Sequence, residues 1–475
     1  MRWKFVALII FITCGYASAR ILNVPSDYPT IQAGIDASVN GDTILVAPGE
    51  YHENITLYAR NILLSSLYGP DTTVINGEFA IGGQVDSTCI IRGFTILGTP
   101  SGPTSPMTIG AGVSLKVEAN IYHASVFRDL GGAISCYGGN PIIRSNIIKY
   151  NYAVAKGGGV CFWNSSVLTS RAEVSFNIIC GNRTGFTAYG DGHGGGIYLL
   201  GDAVIKYNLI CDNQAVESIL GGSGGGIEKI HVSDSRKTII ANNTIVSNVA
   251  KQGDSHGAGG GLYLSCSSPQ ESLIVKNNIF AFNTWGGNVR GVLNESLYLD
   301  WDYNLVYGDT SMGFPHGQHD IFLDPLFADT TIDNYHLLPD SPCIDAGDPS
   351  SPLDPDSTRA DIGAYFYDQT VDISDPSEPI EPFQFQLLQN YPNPFNSNTV
   401  ILYTLSETRA VSLQIFTVSG QLIRNLVRDQ IQASGMHQII WDSKDDKGKE
   451  VATGIYIYRL VVGRDSLARA MITIR

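Results

Sequence analysis

Apolar pairs closed by asparagine recur along the middle of the chain. The first full showing is Ile142-Ile143-Arg144-Ser145-Asn146-Ile147-Ile148-Lys149-Tyr150-Asn151. The phrase returns at Asn177/Asn182, Asn208/Asn213, Asn243/Asn248 and Asn278/Asn283, and fades at Asn304/Asp309. The leading asparagines advance by 31, 31, 35, 35 and 26 residues. A short phrase at a loosely fixed period marks stacked supersecondary units. A second phrase alternates with it: Gly131-Gly132-Ala133-Ile134, Gly157-Gly158-Gly159-Val160, Gly194-Gly195-Gly196-Ile197, Gly224-Gly225-Gly226-Ile227 and Gly259-Gly260-Gly261-Leu262, with Gly110-Ala111-Gly112-Val113 as a degenerate first copy. Each repeat is therefore predicted to hold two or three short strands, a glycine corner and an asparagine corner. Glycine permits positive φ and close approach of neighbouring coils. Asparagine tolerates left-handed turns, and its amide can hydrogen-bond along a stack of like amides. Strands this short, with no helices between them, can pair only with the coils above and below. The fold class expected is all-β: a right-handed parallel β-helix.

Departures from the period carry the next information. Five residues (152–156) separate the first trailing asparagine from its glycine corner; the next three repeats have 11, 10 and 10. Insertions at one corner project from one edge of the solenoid, and such a ledge is where repeat proteins commonly bind.

Outside the repeats, Asp27 to Val39 has a proline in its first turn and apolar residues at 31, 35 and 39, which predicts one short amphipathic helix. Strands are expected at 43–46, 61–65, 73–76 and 89–97. Residues 325–367 lose the period and are expected to cap the solenoid. The acidic, proline-rich stretch 368–385 reads as a linker. Beyond it, 386–475 alternates as a small β-sandwich, with strands at 400–404, 411–417, 438–441 and 454–461. At the other end, Met1-Arg2-Trp3-Lys4, the apolar run Phe5 to Ile12 and Ala17-Ser18-Ala19 predict a signal peptide over 1–19, so that 20–367 forms the β-helix of an exported protein. No stretch reaches the ~20 apolar residues of a membrane span.

Composition narrows the function classes. A net charge of −15 argues against a nucleic-acid or anionic-membrane surface. Eight cysteines fall to seven once Cys14 leaves with the signal peptide. Stacking would bring Cys180 and Cys211 about one strand spacing (~4.8 Å) apart, within disulfide reach. The favoured expectation is a pair of small residues stacked in the interior.

The helix-plus-strand entry, the Asn and Gly-Gly-Gly rungs and Ile344-Asp345-Ala346-Gly347 together resemble the pectin-lyase-like superfamily of bacterial β-helix proteins over residues 21–367. Gly-Gly-Ala-Ile and Phe280-Ala281-Phe282-Asn283 are also similar to repeats of polymorphic outer-membrane autotransporters. In the tail, Asn390-Tyr391-Pro392-Asn393-Pro394-Phe395-Asn396, Gly420-Gln421-Leu422-Ile423-Arg424, Trp441-Asp442 and Gly454-Ile455-Tyr456-Ile457-Tyr458-Arg459-Leu460 resemble the immunoglobulin-like carboxy-terminal module of flagellar-hook-capping-type and type IX secretion sorting families. That resemblance implies a bacterium with two membranes, outer-membrane secretion machinery engaged through 386–475, and a secreted or cell-surface product.

The superfamily includes polysaccharide lyases, glycoside hydrolases and adhesins. A lyase needs a base and charge neutralisation, often by Ca²⁺; a hydrolase needs paired carboxylates. Neither a paired-Asp nor an arginine motif of these enzymes is found. The strongest remaining constellation is Gly190-Asp191-Gly192-His193-Gly194 and its near copy Gly253-Asp254-Ser255-His256-Gly257, two coils apart on the ledge, with Glu217 between them. If the coils register, the histidines would lie roughly 10 Å apart. These residues can cap turns, hold a metal or act as acid and base. No pattern demands a cofactor; Ca²⁺ is the one candidate. Tyr198 and Tyr263 follow their glycine corners identically and can stack on sugar rings or on each other. Arg144, Lys149, Lys206, Lys229, His231 and Lys276 would suit a face for polyanionic sugars. The function expected is a carbohydrate-binding or adhesin-like solenoid whose partner is an extracellular polysaccharide or cell-surface glycan; the competing reading is a polysaccharide lyase or glycoside hydrolase.

Overall fold

The structure, a computed structural model, describes residues 19–99, 105–123, 126–127, 131–164, 170–185, 192–217, 222–230, 237–252, 255–266, 271–369, 386–387, 390, 395, 399–405, 409–417, 420–432, 435–463 and 465–473. All but the last residue of the proposed signal segment and the first two of the proposed linker lie outside them. Residues 21–307 form a parallel β-helix whose coils contribute strands to three long sheets of eleven, nine and ten strands. One coil illustrates the path. Asp202–Lys206 joins the eleven-stranded sheet, Leu209–Cys211 the ten-stranded, Gln214–Glu217 a fourth sheet of six, and Ile227–Ile230 the nine-stranded. The ledge thus begins as a sheet of its own rather than as loops alone. Only its last strand, Ser255–His256, runs antiparallel.

The asparagines form the two ladders their spacing suggests. Along the first, Nδ2 of Asn146, Asn177, Asn208, Asn243 and Asn278 each donates to Oδ1 of the next, ending at Asn304, over 2.9–3.0 Å. Each Oδ1 also accepts the preceding ladder residue's backbone N–H, as from Asn177 to Asn208 at 3.0 Å. The second ladder runs Asn151, Asn182, Asn213, Asn248, Asn283. It then turns to Asn288 rather than to Asp309, and Asn288 donates to the Tyr307 and Asp309 carbonyls. The left-handed backbone falls one residue before each asparagine, not on it: Ser145, Phe176, Tyr207, Asn242, Asn277 and Tyr303 have φ between 51° and 57°. Freed from the turn itself, the amide points into the corner and bonds in both directions.

Both mouths of the apolar interior are closed. At the start, the helix is shorter than expected (Ile31–Ala37), capped by Thr30, with Ile31 and Ile35 buried. Val39 lies beyond its end and is exposed. At the far end Trp301 stacks on Phe280 (5.6 Å, 17°), Phe314 meets Trp301 edge-on, and Met312 is buried beside them. Asp320 finishes the first ladder: its carboxylate accepts Asn304 N, Trp301 Nε1 and Gly317 N at 2.7–2.9 Å.

Residues 325–367 therefore do not cap the end. They run back along the outer face of the ten-stranded sheet as a wing. Phe327, Tyr335, Leu337, Cys343 and Ile362 share a buried cluster with Leu209, Val246, Ile279, Ala281 and Leu305 of that sheet. Gly363 N bonds Asn277 O, Ala364 N bonds Thr244 Oγ1, and the Lys276 ammonium meets Asp348 at 2.8 Å. Cys180 and Cys211 lie in this outer cluster, not in the coil interior, and are joined as a disulfide with Cα atoms 4.6 Å apart.

In the tail, two antiparallel sheets share one apolar core that includes Phe395, Tyr403, Leu413, Trp441 and Tyr458. Three of its strands, Gln386–Leu387, Leu422–Gln432 and Asp465–Thr473, were not expected from the sequence.

Replacing Asn208 with alanine removes the acceptor of two bonds from Asn177 and the donor of three, to the Val174 and Lys206 carbonyls and to Asn243 Oδ1. A loss on the order of 3 kcal/mol is expected in denaturant unfolding; a change below about 0.5 kcal/mol would show that the ladder is incidental.

Candidate functional site

The glycine corners bring chemistry together because nothing larger fits there. Gly194 has φ of 60°, and a Cβ on Gly195 would sit 2.4 Å from the Gly225 carbonyl of the next coil. With the coils this close, the residues before the corner align as Lys156, His193, Ser223 and Ala258. Those just after it align on the outer face of the nine-stranded sheet as Cys161, Tyr198, Glu228, Tyr263 and Arg290, beside a second column of Trp163, Leu200, Ile230, Ser265 and Val292.

His193 reaches into the next coil. Its Nδ1 lies 2.8 Å from Ser223 Oγ and 3.0 Å from the carboxylate of Glu228, which is buried. Tyr198 packs beside it, buried, with its ring stacked against Trp163 at 6.0 Å and 20°. The Lys156 ammonium stands over both rings at 4.8 and 4.9 Å. Burial, and then the nearby Glu228 charge, push the Tyr198 phenol well up, so it stays a neutral hydroxyl. Tyr263 is half-buried, with its phenol raised by the same two causes; Arg290, its neighbour on the next strand, is exposed.

The expected residues fare unequally. Asp191 and Asp254 lie outside the described residues, and Glu217 and His256 are described in backbone alone. The register puts Ala258, not His256, in line with His193; His256 instead pairs across a hairpin with Lys251. The expected cationic face is not one face. Arg144 covers the Phe176 ring, Lys206 meets Glu173, and Lys276 meets Asp300 and Asp348. Lys229 points into the coil, and His231 lies outside the described residues. Glu228, Ser223, Lys156, Trp163 and Arg290 were not singled out in the sequence. Glu228 had a visible signal: it holds the same slot after Gly226 that Tyr198 and Tyr263 hold after their corners.

Serine and carboxylate converge on the same imidazole nitrogen. A hydrolytic triad needs them on opposite nitrogens, so His193 does not activate Ser223 as a nucleophile. Among the residues of these two outer columns Glu228 is the one carboxylate, and no second acid of the kind a glycosidase pairs stands beside it in them. What it offers is an aromatic and cationic surface held by a buried polar network. Among the described residues no group of three or more His, Cys, Asp or Glu side chains that could hold a metal ion is assembled.

No family model matches the chain, and no curated protein matches it. Solved structures with partial similarity include dimeric latent PorU from Porphyromonas gingivalis, at 21% identity and a TM-score of 0.17, covering 18% of this chain and 9% of that one. Another is PorZ, described as an essential bacterial surface component of the type-IX secretion system of the same organism, at 20% identity and a TM-score of 0.15, covering 18% and 11%. The chain thus spans a small fraction of either, and similarity of this extent assigns no function.

Acidic residues also gather in the wing. Burial, and then the charges of Asp356 and Asp345 on Asp354 and of Asp354 and Asp345 on Asp361, push both carboxyls up to about 6. The folded wing then holds protons that an unfolded carboxyl, near about 3.9, has released, so its stability is full below that value and falls as pH rises through about 6. Asp348 works outside this window: against the upward pull of burial, Lys276 and Ser350 hold it at about 2. Asp354→Asn should raise the thermal midpoint at about pH 7.5 and leave it unchanged at about pH 3, below the unfolded value; equal shifts at both would contradict the assignment.

Proposed function

We propose that this chain is an exported, surface-attached β-helix protein that binds an extracellular polysaccharide or cell-surface glycan along the outer face of its nine-stranded sheet. The observation that carries the reading is the part-exposed Trp163 ring under Lys156, backed by the buried Tyr198 ring and continued by the half-buried Tyr263 and the exposed Arg290. Flat aromatic faces stack on sugar rings, and the cations suit carboxylated sugars. The shared use of Nδ1 by Ser223 and Glu228 favours binding over bond cleavage. One observation favours the alternative of a polysaccharide lyase or glycoside hydrolase: a buried carboxylate against a histidine is also how a base is oriented. The signal peptide (1–19), the β-helix (20–367), the linker (368–385) and an immunoglobulin-like sorting or anchoring domain (386–475) complete the proposal. Support for the last is its motifs and its separate apolar core.

A glycan array together with a panel of uronate polymers decides between the readings. Binding without new absorbance from unsaturated ends is expected, weakened about tenfold, or about 1.4 kcal/mol, by Trp163→Ala. Absorbance that His193→Ala abolishes would make the protein a lyase, and silence in both assays would remove sugars altogether. For the tail, deleting residues 386–475 should leave a folded β-helix retained in the periplasm. Unimpaired delivery to the surface would refute the sorting role.

A further inference from the structure

The inward positions of the nine-stranded sheet read Cys136, Phe162, Leu199, Lys229, Leu264 and Gly291 in register. One lysine thus stands in a column that is otherwise free of charge, between two leucines. Lys229 is fully buried, and so is Glu271, which precedes the strand Ser272–Lys276 of the next coil. Lys229 Nζ lies 2.7 Å from Glu271 Oε1 and 3.1 Å from the Ile230 carbonyl. The third polar group at this corner is Cys266, whose thiol hydrogen-bonds Glu271 and is kept protonated chiefly by burial.

We propose that Lys229 and Glu271 are joined by an intramolecular amide bond. Two opposite charges inside an apolar core bear a large desolvation cost, which their attraction offsets only in part. Passing one proton from the ammonium to the carboxylate removes both charges. It also leaves a free amine in contact with a carboxylic acid in a site that excludes water. Holding the two reactants at contact replaces an encounter with an effective molarity that can reach about 10⁵ M or more. The Nζ lone pair adds to Cδ of the protonated acid, the Cδ–Nζ bond forms and a Cδ–O bond breaks. The departing oxygen leaves as water, with the acid proton and one amine proton. Nothing is oxidised or reduced. The Cys266 thiol, as a hydrogen-bond donor to the carboxyl, polarises it for attack and is unchanged at the end. The product ties the nine-stranded sheet of one coil to the eleven-stranded sheet of the next.

Mass spectrometry of the full-length protein, denatured, reduced and digested, tests this. Peptides carrying Lys229 and Glu271 are expected as one branched species, lighter than the two together by one water, and Lys229 should resist reductive methylation in the denatured protein. Linear peptides at full mass with a methylated Lys229 would overturn the proposal. Because this readout needs no substitution, a variant that misfolds does not blunt it. Glu271→Leu should abolish the branched species, and its persistence would assign the bond to another carboxyl and so reject this one.

Discussion

From about residue 120 to 304 the coils depend on satisfying the backbone groups that each corner turns inward. Two unbroken columns of primary amides do this. An amide side chain both donates and accepts, so a stack of identical asparagines leaves no member short, and the arrangement repeats at the strand spacing without adjustment. Leucine would bring no partner, and aspartate would bring acceptors alone. The ladders end where their partners change chemistry: the first on the Asp320 carboxylate, the second on Asn288. Because the corners are held this way, the segments between them are free to differ in length. That freedom accounts for spacings of 31, 35 and 26 residues within one regular stack.

Much of this was legible because asparagine and glycine leave a periodic trace. The parallel coil, the two amide columns and the glycine corner follow directly from it. The wing was harder to see, yet it too left a signal. The outward residue closing each of the last seven strands of the ten-stranded sheet is His123, then Lys149, and from there Cys180, Cys211, Val246, Ala281 and Tyr307. Where the polar residues stop, that face needs a cover, and strands buried on both sides read as continuous apolar runs. The same switch explains the two linked cysteines, which had been expected in the interior. Leu422–Gln432 escaped notice because arginine, asparagine and aspartate interrupt its alternation, and its pairing is bulged.

The site was legible only in part, for a different reason. Motif resemblance drew attention to Asp-x-His, whereas register decides what meets. A two-residue offset moves His256 out of line with His193 and leaves alanine there. Glu228, which does meet His193, lies 35 residues along the chain and one coil away. In a solenoid, neighbours of this kind are set by coil length, so a slot occupied by Tyr, Glu and Tyr in successive coils is more telling than any local tripeptide.

The wing also decides how tension would travel through the molecule. A pull on the chain beyond residue 369 reaches the solenoid through Gly363 and Ala364, which are bonded to Asn277 and Thr244. Thr244 belongs to a coil two before the last strand of its sheet. The load therefore enters at the flank, and the aromatic plug around Trp301 lies off its path. Under force the contacts of the wing with the flank of the sheet would carry load before the plug does.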